Sequence, residues 1–304
     1  METALVTGAA GFIGSHLVEG LLERGYRVRG LDNLSTGDRD SLDGVWSDRR
    51  FAFVEGDVRD RETVERAAKA VDCVFHLAAR TSVPGSVENP AKTTAVNCTG
   101  TATVFTVARE RDARVVFASS AAVYGSDTLV PTLEDAPLSP ESPYALSKRY
   151  GEGLARGAAL DAVALRFFNV FGPGQDADGP YAAVIPAFLR LMRAGERPVI
   201  YGDGEQTRDF VFVTDIVDAA VRAAERETPA EVYNVGSGGR VSVLALVDAL
   251  NDVLGTDLDP IHKEPRPGDI RHSGADISRA RADLAYDPAV DLREGLAAIV
   301  NSDR

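Results

Sequence analysis

Three glycines at three-residue spacing, Gly8, Gly11 and Gly14, separate the apolar run Thr3-Ala4-Leu5-Val6-Thr7 from a stretch, Ser15 to Arg24, that reads as a helix closed by Gly25. A strand that turns through bare backbone into a helix commits the chain to a βαβ start. The next strand, Arg27 to Leu31, ends on Asp32, 18 residues after Gly14. The spacing is G-x-x-G-x-x-G, yet the physical task is that of the commoner G-x-G-x-x-G. Backbone without Cβ lets a pyrophosphate approach, and the helix N-terminus faces its charge. Phe12 and Ile13 fall within the same turn. An acid at the end of the second strand accepts hydrogen bonds from a ribose diol and repels a 2′-phosphate, which favours NAD over NADP. Asn33, Ser35, Thr36 and Gly37 follow on the adenosine side.

The same rhythm continues. Phe51 to Gly56 reads as a strand ending on Asp57-Val58, where a carboxylate reaches an adenine amino group. Cys73 to Leu77 ends on Ala78-Ala79, small residues against which a cofactor can lie. Val115 to Ala118 leads into Ser119-Ser120. A helix spanning 90–109 carries Asn97, whose amide is placed to brace the strand ends. Alternating strands and helices imply an α/β fold with a doubly wound parallel sheet, and its ligands sit at the carboxyl ends of the strands. His76 lies inside a strand and reads as a satisfied core histidine; no other histidine pairs with it at metal-ligand spacing, so no metal is expected.

After a Pro-rich loop, Tyr144-Ala145-Leu146-Ser147-Lys148 opens a helix. Tyr144 and Lys148 are four apart and share a face. An ammonium beside a phenol favours phenolate, so the expectation is a lowered Tyr144 pKa and a base usable near neutrality. Ser120 hydrogen-bonds the same substrate oxygen in this reading. Beyond Gly172 the βα rhythm breaks: Ala182–Arg193 is an amphipathic helix and Pro198 to Tyr201 a strand, while 209–236 returns to strand, helix, strand. The division expected is a nucleotide-binding unit over 1–172, rejoined by 207–239, and a smaller interleaved unit from 173–206 and 240–304. Tyr201 is a candidate for stacking on a base, and Arg208 and Arg266 are candidate diphosphate cations.

The chain has 304 residues, 44% hydrophobic and 26% charged, enough for one large or two modest domains. Its net charge of −13 argues against nucleic acid or anionic membranes as partners. The N-terminus enters a strand without a basic, then apolar, leader, and Cys73 and Cys98 lack ligand spacing. Buried thiols in the cytoplasm are the expectation.

Ordered pieces spread over residues 3–269 carry a resemblance: TGAAGFIG (7–14), LDNLSTG (31–37), GDVRD (56–60), FHLAA (75–79), SSAAVYG (119–125), YALSK (144–148), RFFNVFGP (166–173), GDGEQTRDFVFV (202–213), YNVG (233–236) and RPGD (266–269). The chain resembles the extended short-chain dehydrogenase/reductases, and among them the nucleotide-sugar epimerases acting on UDP-glucose. The resemblance implies a Rossmann domain with bound NAD. It makes Tyr144 the acid/base, Lys148 the nicotinamide-ribose ligand and Ser120 the sugar-hydroxyl ligand, with Phe167 near the nicotinamide. It places Asn169, Ala183, Val184, Tyr201, Arg208, Arg266 and Asp269 on the UDP moiety. It also implies a homodimer joined through the helix near 90–109 and the helix starting at Tyr144.

The reaction implied is 4-epimerisation of a UDP-hexose through a 4-keto sugar. Dehydratases of the family carry an Asp-Glu pair where this chain has Ala121-Ala122, and the decarboxylases carry a glutamate in that stretch. Both are alternatives that these alanines disfavour; a non-catalytic NAD-binding regulator is a third. Counted from RPGD, the resemblance puts Ser273 at the family's gatekeeper position beside carbon 2, and a serine there implies room for an N-acetyl group and so action on UDP-N-acetylhexosamines. Arg271 lies near enough to consider for a hexuronate carboxylate.

Overall fold

The computed structural model describes residues 2–158, 160–176, 183–227, 231–265 and 269–302. β1 (Thr3–Thr7) passes through Gly11 into α1 (Phe12–Glu23), followed by β2 (Arg27–Asp32) and β3 (Phe51–Glu55). α2 (Arg61–Ala67), β4 (Cys73–His76), α3 (Val83–Glu88) and α4 (Pro90–Thr94) come next. α5 (Thr101–Glu110), β5 (Arg114–Ser120), α6 (Pro143–Gly157), β6 (Ala162–Phe167) and β7 (Asn169–Phe171) complete the first part. The second part holds α7 (Val184–Arg193), β8 (Val199–Tyr201), β9 (Thr207–Arg208), β10 (Phe210–Phe212), α8 (Val213–Glu225) and β11 (Val232–Val235). It closes with β12 (Val241–Ser242), α9 (Val243–Leu254), β13 (Ile261–Lys263), α10 (Ser278–Leu284) and α11 (Leu292–Ser302).

Seven strands form one parallel sheet in the order β11-β6-β5-β4-β1-β2-β3. The order reverses between β1 and β4, which opens a crevice at their carboxyl ends. Both faces are covered, so the inner strands are apolar on both sides. On one face Leu17, Val18 and Leu21 of α1 pack with Ile216, Val217 and Ala220 of α8. On the other, Val64 and Ala67 of α2 pack with Val104, Phe105 and Val107 of α5. A separate apolar cluster joins α7, α9 and α11 around Phe188, Leu189, Leu246, Leu250 and Leu296.

Three elements differ from the sequence expectation. α1 begins at Phe12, three residues before Ser15, because Gly11 takes an extended N-cap conformation directly after the turn. The helix spanning 90–109 is interrupted by a π-helical turn, Ala95–Gly100, at whose end the Thr101 hydroxyl donates to the Asn97 carbonyl at 2.5 Å. β9 and β10 pair with β12 and β7 rather than with the main sheet, which is rejoined by β11 alongside β6, with α8 packed against α1. The helix expected from Ala182 begins at Val184, because Ala183 is an extended N-cap; Ala182 itself lies outside the described residues. Cys73 is buried, but Cys98 in the π turn is only half-buried. No helix among the described residues is long and apolar enough to cross a membrane.

Candidate active site

The glycine turn sits at the crevice between β1 and β4. Gly8 has φ +72°, and a Cβ there would lie 2.8 Å from the amide nitrogen of Ala78. A Cβ on Gly14 would lie 1.9 Å from the Gly8 carbonyl oxygen. Side chains are therefore excluded where the turn must stay bare. Gly11 supplies no side-chain cap to α1. The first-turn N–H groups thus keep their preference for an anion. Asp32 is fixed at the end of β2: its carboxylate accepts from Ala10 N at 3.0 Å and Leu34 N at 2.9 Å. Gly37 packs on Ala10, where a Cβ would meet backbone at 2.7 Å, and this brings the exposed Asn33, Ser35 and Thr36 beside the turn. Asp57 accepts from Asn33 Nδ2 at 2.8 Å and from Arg59 through two bonds of 2.9 and 2.7 Å. The Arg59 bonds hold its carboxyl well below the usual carboxylate range. Val58 is buried, and Leu77, Ala78 and Ala79 are half-buried at the end of β4. The bare turn, the uncapped helix start and the fixed Asp32 fit NAD.

His76 is held from both sides within the sheet. The Thr101 hydroxyl proton is spent on Asn97, so His76 Nε2–H donates to Thr101 Oγ1 at 2.9 Å, and Nδ1 accepts from Thr7 Oγ1 at 2.7 Å. Burial, with the Lys148 charge adding to it, brings its pKa down to about 3. It is a neutral core histidine, as the sequence suggested. The Asn97 amide donates to Arg80 O at 3.0 Å and to Ser147 Oγ at 2.9 Å, and its oxygen accepts from Arg80 N at 2.8 Å. Asn97 thus ties the loop after β4 to α6.

Tyr144 opens α6, whose N-cap is Ser142 with Pro143 in the first turn. Its hydroxyl is close enough to the Ser120 side chain, at the end of β5, for that hydroxyl to favour the phenolate. Ser120 Oγ accepts from Ala122 N at 3.2 Å. One turn on, Lys148 is 4% exposed and donates from Nζ to the Ala118 carbonyl at 2.6 Å. Nζ lies 5.8 Å from the centre of the Tyr144 ring. Ser120, Tyr144 and Lys148 are therefore brought together, with Ser119 and Phe167 alongside through the β5–β6 register. The expected lowering of the Tyr144 pKa is not what the chain's own groups produce. Burial raises it, and the nearby Ser120 hydroxyl offsets only part of that. The ammonium is directed at Ala118 O and is itself brought down to about 8, by burial working against Glu152.

Among the residues expected at the substrate, Arg208 and Asp269 meet as an ion pair: Nη2 donates to Oδ1 at 2.6 Å. Burial lowers the Arg208 pKa and Asp269 works against that. Ser273 is half-buried, and its N–H donates to Thr207 O at 3.0 Å, which seats it beside β9. Asn169 is exposed at the start of β7, and Tyr201 is half-buried at the end of β8, opposite Lys263. Ala183 is the N-cap of α7 and Val184 its first residue. Arg266 lies outside the described residues. Arg271 holds Asp203 through bonds of 2.6 and 2.9 Å at the surface.

Residues 4–236 match the model of the NAD dependent epimerase/dehydratase family. The chain belongs to that family. It is an NAD-dependent, epimerase-like enzyme. It is 41% identical to the UDP-glucose 4-epimerase of Mycolicibacterium smegmatis, over 97% of this chain and 96% of that protein. The UDP-N-acetylglucosamine 4-epimerase of Methanobrevibacter ruminantium, solved with UDP-N-acetylmuramic acid, superposes with TM-score 0.93 at 39% identity, covering 100% of this chain and 99% of that one. The UDP-glucose 4-epimerase of Thermotoga maritima with UDP-glucose gives TM-score 0.92 at 38% identity, covering 99% and 98%. Proteins named dTDP-glucose 4,6-dehydratase and UDP-glucuronic acid decarboxylase are similar as well.

Within this family member, one cluster at the site escaped the sequence reading. Glu152, Arg166, Tyr124 and Asn234 are all buried directly behind Ser119 and Lys148. Arg166 donates to Glu152 through Nε at 2.9 Å and Nη2 at 2.7 Å, and through Nη1 to Tyr124 Oη at 2.8 Å. Tyr124 in turn donates to Asn234 Oδ1 at 2.6 Å. Two signals were present: Glu152 is four residues after Lys148, and Arg166 is a lone cation in the apolar run Ala162-Val163-Ala164-Leu165.

Proposed function

We propose that the chain catalyses 4-epimerisation of a UDP-hexose through a 4-keto intermediate. The observation that carries this reading is the meeting of Ser120 at the end of β5 with Tyr144 and the buried Lys148 on the first turns of α6, with alanines at 121 and 122. Bound NAD supplies hydride acceptance and return at carbon 4. Tyr144 takes the 4-hydroxyl proton and later gives it back, and Ser120 orients that hydroxyl. The Ser120 hydroxyl offsets part of the desolvation that disfavours phenolate, and Lys148 keeps a buried positive charge 5.8 Å from the ring centre. Arg208 exchanges Asp269 for the diphosphate, a bidentate partner for guanidinium, and Asp269 then accepts from the ribose. Tethering of the diphosphate lets the keto sugar present its other face. Dehydration or decarboxylation needs proton transfer at further carbons, and Ala121 and Ala122 cannot supply it.

The half-buried Ser273 supports action on UDP-N-acetylhexosamines as well as UDP-glucose and UDP-galactose. In this reading 1–172, α8 and β11 hold the cofactor, while 173–206 and 240–302 hold the nucleotide sugar. A second copy of the chain would cover the outer face of α6, where Leu146 and Tyr150 are 55% and 43% exposed. Light scattering of the parent and of Leu146→Glu tests that dimer.

The function is tested by incubating the protein with UDP-galactose, UDP-N-acetylgalactosamine and UDP-galacturonate separately. Conversion of the first two to their 4-epimers without net NADH formation is expected, together with a loss of about 100-fold or more in kcat for a folded Tyr144→Phe. A 4-keto-6-deoxy sugar or a pentose as the product would refute the epimerase reading. So would full activity in Tyr144→Phe.

A further inference from the structure

The ion pair behind the reacting groups has work beyond holding the fold. Glu152 is one helical turn after Lys148 and two after Tyr144, so all three share the face of α6 that meets β5. Its carboxylate takes two bonds from Arg166 and a third, at 2.5 Å, from Ser119 Oγ, the neighbour of Ser120. Arg166 stands opposite Ser119 in the β5–β6 register. Arg166 and Glu152 side chains are 4% and 7% exposed, so water screens this charge little. Two buried cations thus lie near one buried carboxylate: Arg166 is bonded to Glu152, and Lys148 is one helical turn from it, with its Nζ on Ala118 O next to the Ser119 that Glu152 holds.

We propose that Glu152 is a positioning residue of this active site, its carboxylate clamped by Arg166 and Ser119 so as to keep the Lys148 ammonium charged. The inference rests on the reading of Lys148 as the working cation. The physical reason is an asymmetry between the two cations. Guanidinium cannot give up its proton in a protein, whereas a buried ammonium can. If the carboxylate is neutralised, Lys148 is the group that yields. Burial already lowers the Lys148 pKa to about 8, with Glu152 opposing the fall.

The other titratable groups around Lys148 do not substitute for this acid. On α6 itself there is Tyr144; from β4 comes His76, which is neutral. The π turn on α6 carries Cys98, whose thiol is pushed up by burial. Tyr124 is spent on Arg166 and Asn234. α3, α4 and α5, packed on α6, carry Glu88, Lys92, Arg109 and Glu110 only at the exposed surface. Glu134, the other acid near Arg166, accepts from Asn234 N at 2.9 Å and lies 3.6 Å from Arg279.

The test reads Lys148 directly. The chain has four lysines, Lys69, Lys92, Lys148 and Lys263, so lysine labelled with carbon-13 at the ε position gives few signals, and Lys148→Met assigns the one needed. The titration midpoint of Lys148 is followed by NMR in the parent, Glu152→Gln and Glu152→Asp, alongside the pH profile of epimerisation. The midpoint is expected to fall by about one unit or more in Glu152→Gln, and by less in Glu152→Asp, which keeps the charge but withdraws it. The alkaline limb of kcat is expected to move down with it. Should Glu152→Gln not fold, the shift in Glu152→Asp decides. Midpoints that stay at the parent value in the folded variants overturn the proposal. A parent without epimerase activity would sink the functional reading, yet the lysine titration would still judge Glu152.

Discussion

Gly14→Ala is the sharpest test of how the nucleotide cradle is built. The added methyl would stand 1.9 Å from the Gly8 carbonyl oxygen, and real Cβ contacts essentially never fall under 3.0 Å, so something must move by about 1.1 Å. The obstructing atom is backbone. Gly8 cannot retreat easily, since it already has φ +72° and approaches Ala78 so closely that a Cβ of its own would lie 2.8 Å from that amide. Overpacking of this kind costs about 1–3 kcal/mol, while Ala gains roughly 1 kcal/mol over Gly in a helix interior. A net loss of up to about 2 kcal/mol results, or around 4 °C in melting temperature for a chain of this size. NAD affinity is expected to fall as well, because the turn whose bare backbone admits the pyrophosphate is displaced. Calorimetric titration with NAD and thermal melts with and without it measure both quantities. Gly153→Ala is the control. It lies in exposed helix with nothing within 4 Å of the new Cβ, and is expected to raise stability by up to about 1 kcal/mol. If Gly14→Ala binds NAD as tightly as the parent and melts no lower, the close approach is not what the cradle requires.

Two further outcomes follow from charge. His76 has a folded pKa near 3, below the unfolded value of about 6.5, so the unfolded chain binds the proton first. Its contribution is therefore neutral above about pH 6.5 and destabilising below, by about 1.4 kcal/mol per pH unit until the folded pKa is reached. Unfolding free energies between pH 7 and 5 should fall less steeply in His76→Gln, and parallel slopes would count against a neutral histidine. Arg271 is committed to Asp203 at the exposed surface. Arg271→Ala should leave the melting temperature and the turnover of UDP-N-acetylgalactosamine within error of the parent; a selective loss of hexuronate turnover would return Arg271 to the substrate.

What could be read from the chain was whatever local periodicity encodes. The glycine turn, the strand ends at Asp32, Asp57, Ala78 and Ser120, and the shared face of Tyr144 and Lys148 all follow from spacings of two to four residues along one element. The π turn at Ala95–Gly100 was not legible, because it depends on a threonine hydroxyl competing for a backbone carbonyl. The pairing of Arg208 with Asp269, 61 residues apart, joins residues that the sequence marked separately. Glu152 and Arg166, 14 apart, lie on different elements, and only the β5–β6 register and the packing of α6 bring them together. The charge state of Tyr144 belongs to the same class. Spacing placed a lysine near a phenol, but the pKa depends on everything that displaces water around both. The sequence by itself determined the order of elements and the residue types at their ends, since helix and strand geometry are fixed by neighbours in the chain. Tertiary structure decided which buried charges face one another, because desolvation and Coulomb interactions act through space.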